Sequence, residues 1–556
     1  MNKKTMIACT AGLLTVLVTP VTWAESTKYI NARIHTMDPA APIVEAMCVV
    51  DGRIAATCPG ATEVDLGGQT VIPGFIEGHG HLMSAGFAQL NLDLTQVASY
   101  DELIEKVAAA ADQAEPGEWI EGRGWHQSKW TPQPRKMVKG FQVHDRMSAV
   151  SPDNPVYLGH ASGHAAFVNA KAMEIAGIDE NTTFTGDGEI IRDEEGNATG
   201  VLNELAQNLV RKHVPKPSLS QRERALTLAL ESLAMHGVTS FQDAGSGDDT
   251  IELLRSFMDR GQLTARVWVM LAGSDKNLLE RWFRRGPAIN EGDDRLTVRA
   301  IKLVADGALG SRGAWLIKPY SDRRGHVGLP TMSLEDMRDI SHLAYQHGFQ
   351  IGTHAIGDRA NREILDIYSD LFDGVDRGVR FRVEHAQHID PEDIPMFGKL
   401  GVIASVQGIH MSSDRPWAID RLGAKRIREG AYVWRKLLDT GAILANGTDV
   451  PVEPVSPFAS FYSLVSRQTL KGTPPGGYEP SQKLTREEAL RSYTIDAAYA
   501  AFEEDIKGSI TPGKWADFVV LDRDIMDSSA VPDAAILDTQ VLMTVVGGEV
   551  VYEAGP

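Results

Sequence analysis

The chain has 556 residues, 43% hydrophobic and 23% charged, enough to bury a large core together with accessory domains. Lys and Arg number 55 against 74 Asp and Glu, a formal net charge of −19. That balance excludes nucleic acid or an anionic membrane surface as the main partner, because both need a basic face.

The first residues read as a leader rather than as part of the fold. Lys3 and Lys4 precede an apolar run over 6–21, interrupted by Thr10, Gly12 and Pro20, and the small residues Thr22 and Ala24 stand three and one before the expected cut. This is the pattern of a secretory signal peptide over 1–24. The run falls short of the ~20 apolar residues that a membrane span needs, so export to the periplasm without stable membrane insertion is expected. Cys9 leaves with the leader, and Cys48 and Cys58 remain around a turn at Asp51-Gly52. A two-residue hairpin sets Cys48 opposite Ala55 and turns Cys58 to the other face, so a bridge would need a bulge. An exported compartment permits one, but the register favours two free thiols and the pairing stays open.

Short β-like runs at 28–37, 43–50, 53–58 and 69–73 open the mature chain, and others at 517–521, 541–546 and 550–552 close it. Neither set closes a core alone, so one small β-sandwich domain is expected from both ends, over 25–70 and 501–556. Between them, eight apolar runs end at polar residues: 71–77, 238–243, 266–271, 298–304, 350–354, 380–385, 402–407 and 442–446. Helix-like stretches such as 334–347, 359–372 and 432–440 alternate with them. Eight such units over 71–500 are the count of a (β/α)8 TIM barrel, an α/β fold with a buried parallel sheet. The stretch from 82 to 237 is far longer than one helix requires, and about 85–230 reads as an inserted subdomain. An insertion after the first barrel strand should cover the catalytic face.

The chemistry-bearing residues sit where such strands end. His79 and His81, in Gly78-His79-Gly80-His81, are two apart and point the same way on an extended chain. His354, His385 and Asp449 end the fifth, sixth and eighth runs, and Lys302 lies inside the apolar fourth. An ammonium is expensive there unless it is modified or paired; carboxylated by carbon dioxide, Lys302 would become an anion able to bridge two metal ions. Each residue has a plainer reading: packing for the histidines, an ordinary ion pair for Lys302, a turn cap for Asp449. Their joint placement in this order points instead to a divalent-metal site, for which histidine and carboxylate ligands suit zinc.

Taken together, the sequence resembles the amidohydrolase superfamily and, within it, the YtcJ-like (amidohydrolase 3) family, over nearly the whole mature chain. The segment 73–81, Asp306-Gly307-Ala308 within 300–311, the run 352–358, Gly447-Thr448-Asp449, the stretch 119–125, Ser162-Gly163-His164 and the stretches 507–510 and 513–517 carry the resemblance. Glu77 departs from it, standing where related sequences usually carry Asp. The resemblance implies His79, His81, His354, His385 and Asp449 as metal ligands, Lys302 as a carboxylated bridging ligand, and Asp449 and His385 as the catalytic pair, with Asp449 the general base. One ion goes with a plain Lys302 and two with a carboxylated one. His164, Glu204, Trp125 and Asp306 are the candidate substrate contacts, with the insertion's own core as the plainer place for Trp125 and Trp130.

The implied activity is metal-dependent hydrolysis of a carbon–nitrogen bond other than a peptide bond in a small molecule: an amide, an N-acyl amine or an N-substituted formamide. The same machinery could serve a lactone, a cyclic amide or the deamination of a ring. A non-catalytic periplasmic binding or regulatory protein on a retired barrel is the alternative of another class, and the full set of candidate ligands argues against it. The partner is a small-molecule substrate, with a homodimer compatible.

Overall fold

The computed structural model describes residues 26–555 except 96, 128–129, 161–164, 186–187 and 373–377. The leader over 1–24 and His164 therefore lie outside the described residues, as does the side chain of Glu204.

Eight parallel strands form a nearly closed barrel: β1 (Phe75–Gly80), β2 (Val238–Ser246), β3 (Arg266–Ala272), β4 (Leu296–Val304), β5 (Gln350–Ala355), β6 (Arg382–His385), β7 (Ile403–Gln407) and β8 (Leu444–Gly447). Most of their residues are buried, as expected for a parallel sheet wrapped by helices. The chain is thus an α/β (β/α)8 barrel with further sheets outside it.

The run 71–77 is shared between two domains. Thr70–Pro73 is a strand of the small domain, pairing antiparallel with Phe518–Leu521, and β1 begins only at Phe75. Pro73 has no N–H to extend a ladder, and Gly74 makes the crossing because a Cβ there would stand 2.1 Å from the Thr239 hydroxyl. The barrel strand then runs to Gly80, which places His79 inside it rather than in the loop beyond.

The small domain joins a four-stranded sheet from the N-terminal part to a six-stranded sheet drawn from both ends of the chain. Tyr29, Ile34, Val71, Phe518 and Val545 are among the residues that fill the space between them. Cys48 and Cys58 are disulfide-bonded, with their Cα atoms 5.6 Å apart, so the expectation of free thiols is corrected. The hairpin register is as read, with Cys48 opposite Ala55. The strand, however, ends at Ala55, so the alternation of faces stops before Cys58 and the chain bends back onto Cys48.

After β1 and the helix Leu82–Leu90, the insertion builds its own six-stranded sheet from Leu92–Asp93 to Ala198–Glu204, with a hydrophobic cluster on each side. The helix Leu219–Met235, opened by a Ser218–Gln221 capping box, returns the chain to β2.

Candidate metal centre

The C-terminal ends of the barrel strands bring the predicted histidines and Asp449 to one place. Ligand atoms of His79, His81 and Asp449 all lie within 4.8 Å of one another. Asp449 Oδ1 is 3.2 Å from His81 Nε2 and 3.7 Å from His79 Nε2. The His385 ring lies 4.9 Å from that of His79 and 4.5 Å from that of His354, so the histidines of β5 and β6 border the same space outside the tight set of three. Lys302 directs its amine at the same imidazole, with Nζ 3.1 Å from His79 Nε2.

Each side chain is aimed from behind. Glu384 Oε2 lies 2.6 Å from His79 Nδ1, so the imidazole donates there and keeps its Nε2 lone pair for the centre. Glu384 is itself gripped by Arg382 through Nε and Nη2, and Arg382 also donates to Gly78 O, Ser405 and Gln242, all buried in the barrel interior. His385 Nδ1 is 2.7 Å from Gln407 Oε1, which frees its Nε2 in the same way. The backbone carries part of the cost: His385 (φ 74°) and Asp449 (φ 60°) both occupy the left-handed region, worth roughly 1–3 kcal/mol each for residues other than glycine.

The electrostatics suit a cation. Burial, reinforced by the Lys302 ammonium, holds the His79 pKa down at about 4, and burial and His354 take His385 well below the ordinary histidine range. Both imidazoles are therefore neutral and able to ligate. Burial works to raise Asp449, but the hydrogen bond from His81 outweighs it and holds the carboxyl well below its usual range. Burial also lowers Lys302, against the pull of Glu384 and Asp449. His354 Nε2 is buried with no donor or acceptor in hydrogen-bond geometry, and Asp449 Oδ1 meets only the imidazoles of His81 and His79. Buried polar atoms are rarely left so, and a divalent ion is the partner that this donor set fits.

Two of the substrate contacts expected from sequence are placed elsewhere. Trp125 is fully buried in the insertion's core against Trp130, Phe141 and Phe167, and its indole donates to Leu158 O. Asp306 spends both oxygens on the backbone N–H groups of Trp315, Ile356 and Gly357, while Oδ1 lies 3.4 Å from His354 Nε2. It organises the loop after β5 and lies beside His354.

Sequence reasoning passed over Glu384, Arg382, Gln407 and His410. The signal for the first two was present, because Arg382 and Glu384 share one face of an apolar strand and a charge pair there must be buried. His410, in the first turn of the helix Gly408–Gly430, is buried with Nε2 unpartnered, its ring 6.1 Å from that of His385.

Comparison with known proteins shows the family. Residues 62–552 match the model of a family described as the amidohydrolase family. The chain is 31% identical to an amidohydrolase named YtcJ from Bacillus subtilis (strain 168), over 94% of this chain and 98% of that one. It is 29% identical to an N-substituted formamide deformylase of Arthrobacter pascens, with the same coverage. Among solved structures, an uncharacterized metal-dependent hydrolase of Pyrococcus horikoshii OT3 superposes with a TM-score of 0.75 at 28% identity, over 90% of this chain and 98% of that one.

Proposed function

From the premise that this chain belongs to the amidohydrolase family of hydrolases, we propose that it cleaves a carbon–nitrogen bond other than a peptide bond in a small molecule. An N-substituted formamide or another N-acyl amine is the substrate class put forward, on the likeness to the deformylase. The observation that carries the reading is the convergence of His79, His81 and Asp449, with Asp449 Oδ1 buried between the two imidazoles.

His79, His81, His354, His385 and Asp449 would hold the ion, which we take to be zinc. Bound there, it would supply a Lewis acid for the acyl oxygen and a water ionisable near neutral pH. Asp449, kept ionised by the hydrogen bond from His81, takes the proton of the attacking water and returns it to the leaving nitrogen. Glu384 and Gln407 hold His79 and His385 in the tautomer that presents Nε2. Lys302 sets the stoichiometry: as an amine beside His79 it goes with one ion, and carboxylated it goes with two.

The leader and the disulfide both fit export to an oxidising compartment such as the periplasm. The test is a panel of N-substituted formamides, N-acyl amines, lactones and cyclic amides offered to zinc-loaded and chelator-treated protein. Turnover of formamides or acyl amines that chelation abolishes and zinc restores is expected. Turnover confined to lactones would overturn the bond class.

A further inference from the structure

The barrel has one irregular seam. Neighbouring strands from β1 round to β8 are joined by ladders, but among the described residues no ladder joins β8 back to β1. That seam is where two strands must be held in register for the metal centre to exist, since His79 and His81 come from one side and Asp449 from the other. Two backbone bonds cross at the top: Asp449 N–H to His79 O and His81 N–H to Val450 O, both 2.8 Å.

Below them a side chain does the work of a ladder. Glu77 is completely buried on β1 and points to the same side of the strand as His79. Its Oε1 accepts the Thr448 N–H at 2.6 Å and the His79 N–H at 3.3 Å, and its Oε2 accepts the Thr448 hydroxyl at 2.9 Å. One carboxyl group thus ties a backbone N–H on each side of the seam, from the residue before Asp449 and from His79 itself. The fit leaves no slack: a Cβ on Gly447 would stand 2.2 Å from Glu77 Oε1, and one on Gly78 would stand 2.5 Å from Asn446 O. Glycines on both strands let the seam close to the distance that the carboxyl group spans.

We propose that Glu77 is a positioning residue for the metal centre, clamping β1 to β8 so that His79 and Asp449 meet at ligand distance. It rests on the metal-centre reading above. It acts through geometry rather than charge, so an amide of the same shape should serve. Glutamine can accept both N–H groups through Oε1 and donate to the Thr448 hydroxyl, whereas alanine leaves the seam untied.

The experiment is titration of metal-free full-length protein with Co2+ in competition with a chelator, read by the visible absorption of bound cobalt. Circular dichroism and thermal unfolding of the metal-free forms are followed in parallel. Wild type should bind, Glu77→Ala should bind about 10–100-fold more weakly with an altered cobalt spectrum, as for other groups that orient ligands, and Glu77→Gln should return to within about threefold of wild type. Thr448→Val, which deletes one of the three bonds, should fall between them, and it decides the matter should Glu77→Ala not fold. Equal affinity in all variants would overturn the clamp, as would glutamine binding as weakly as alanine, which would assign the effect to charge. Wild type failing to bind cobalt would instead overturn the metal-centre reading on which the clamp depends.

Discussion

Two of the places where this molecule buries charge treat it in opposite ways. At the start of β3, Arg266 meets Asp517 of the small domain through two bonds of 2.7 and 3.2 Å, and its remaining donors reach the carbonyls of Asp293 and Asp294. Asp517 also accepts the Gly547 N–H. At the C-terminal ends of the strands, His354 Nε2 and His410 Nε2 are buried without such a partner, and Asp449 Oδ1 meets only the imidazoles of His81 and His79. The first site is closed on itself and joins two domains. The second is held open by neighbours that aim every side chain at one space and stop short of satisfying it. Burial alone therefore marks neither structure nor function; the unspent bonding capacity separates them.

The comparison breaks most sharply under substitution. Asp449→Ala should lower kcat/KM about 100- to 10,000-fold, the range for loss of a positioned proton acceptor, while the thermal midpoint holds or rises as a strained group is relieved. Steady-state rates and calorimetry on one preparation check both halves. Asp517→Ala should do the reverse. A buried guanidinium without its carboxylate costs about 3–5 kcal/mol, visible as a lower urea midpoint, with metal content per folded chain unchanged. Next in size, Cys48→Ser with Cys58→Ser should lose about 2–3 kcal/mol, as expected for a short closed loop, and leave metal binding intact.

The remaining effect is on pH. The His79 pKa falls from 6.5 to about 4 on folding, so the unfolded chain binds the extra proton first. Metal-free protein gains full benefit from neutral His79 above pH 6.5 and loses it progressively as the pH drops toward 4. The denaturation midpoint of His79→Gln should fall less over that interval.

The barrel was legible because eight apolar runs and their spacing survive in the one-dimensional chain, and because His79, His81, His354, His385 and Asp449 stand at their ends. What the runs could not show was where a strand changes domains, as at Pro73-Gly74, or where alternation of faces stops, as after Ala55. Trp125 was ambiguous because an aromatic residue looks the same in sequence whether it lines a cleft or fills a core. Asp306 and Glu77 were beyond reach for a different reason: their roles lie in backbone N–H groups contributed by residues 9 and 371 positions away, among others.

The most direct test of the account is metal content by mass spectrometry on the purified protein, wild type beside His79→Ala. The account predicts about one or two zinc ions per wild-type chain and their loss from the variant, with both proteins folded. A wild-type chain that stays metal-free after zinc supplementation, or a variant that keeps its full complement, would contradict it.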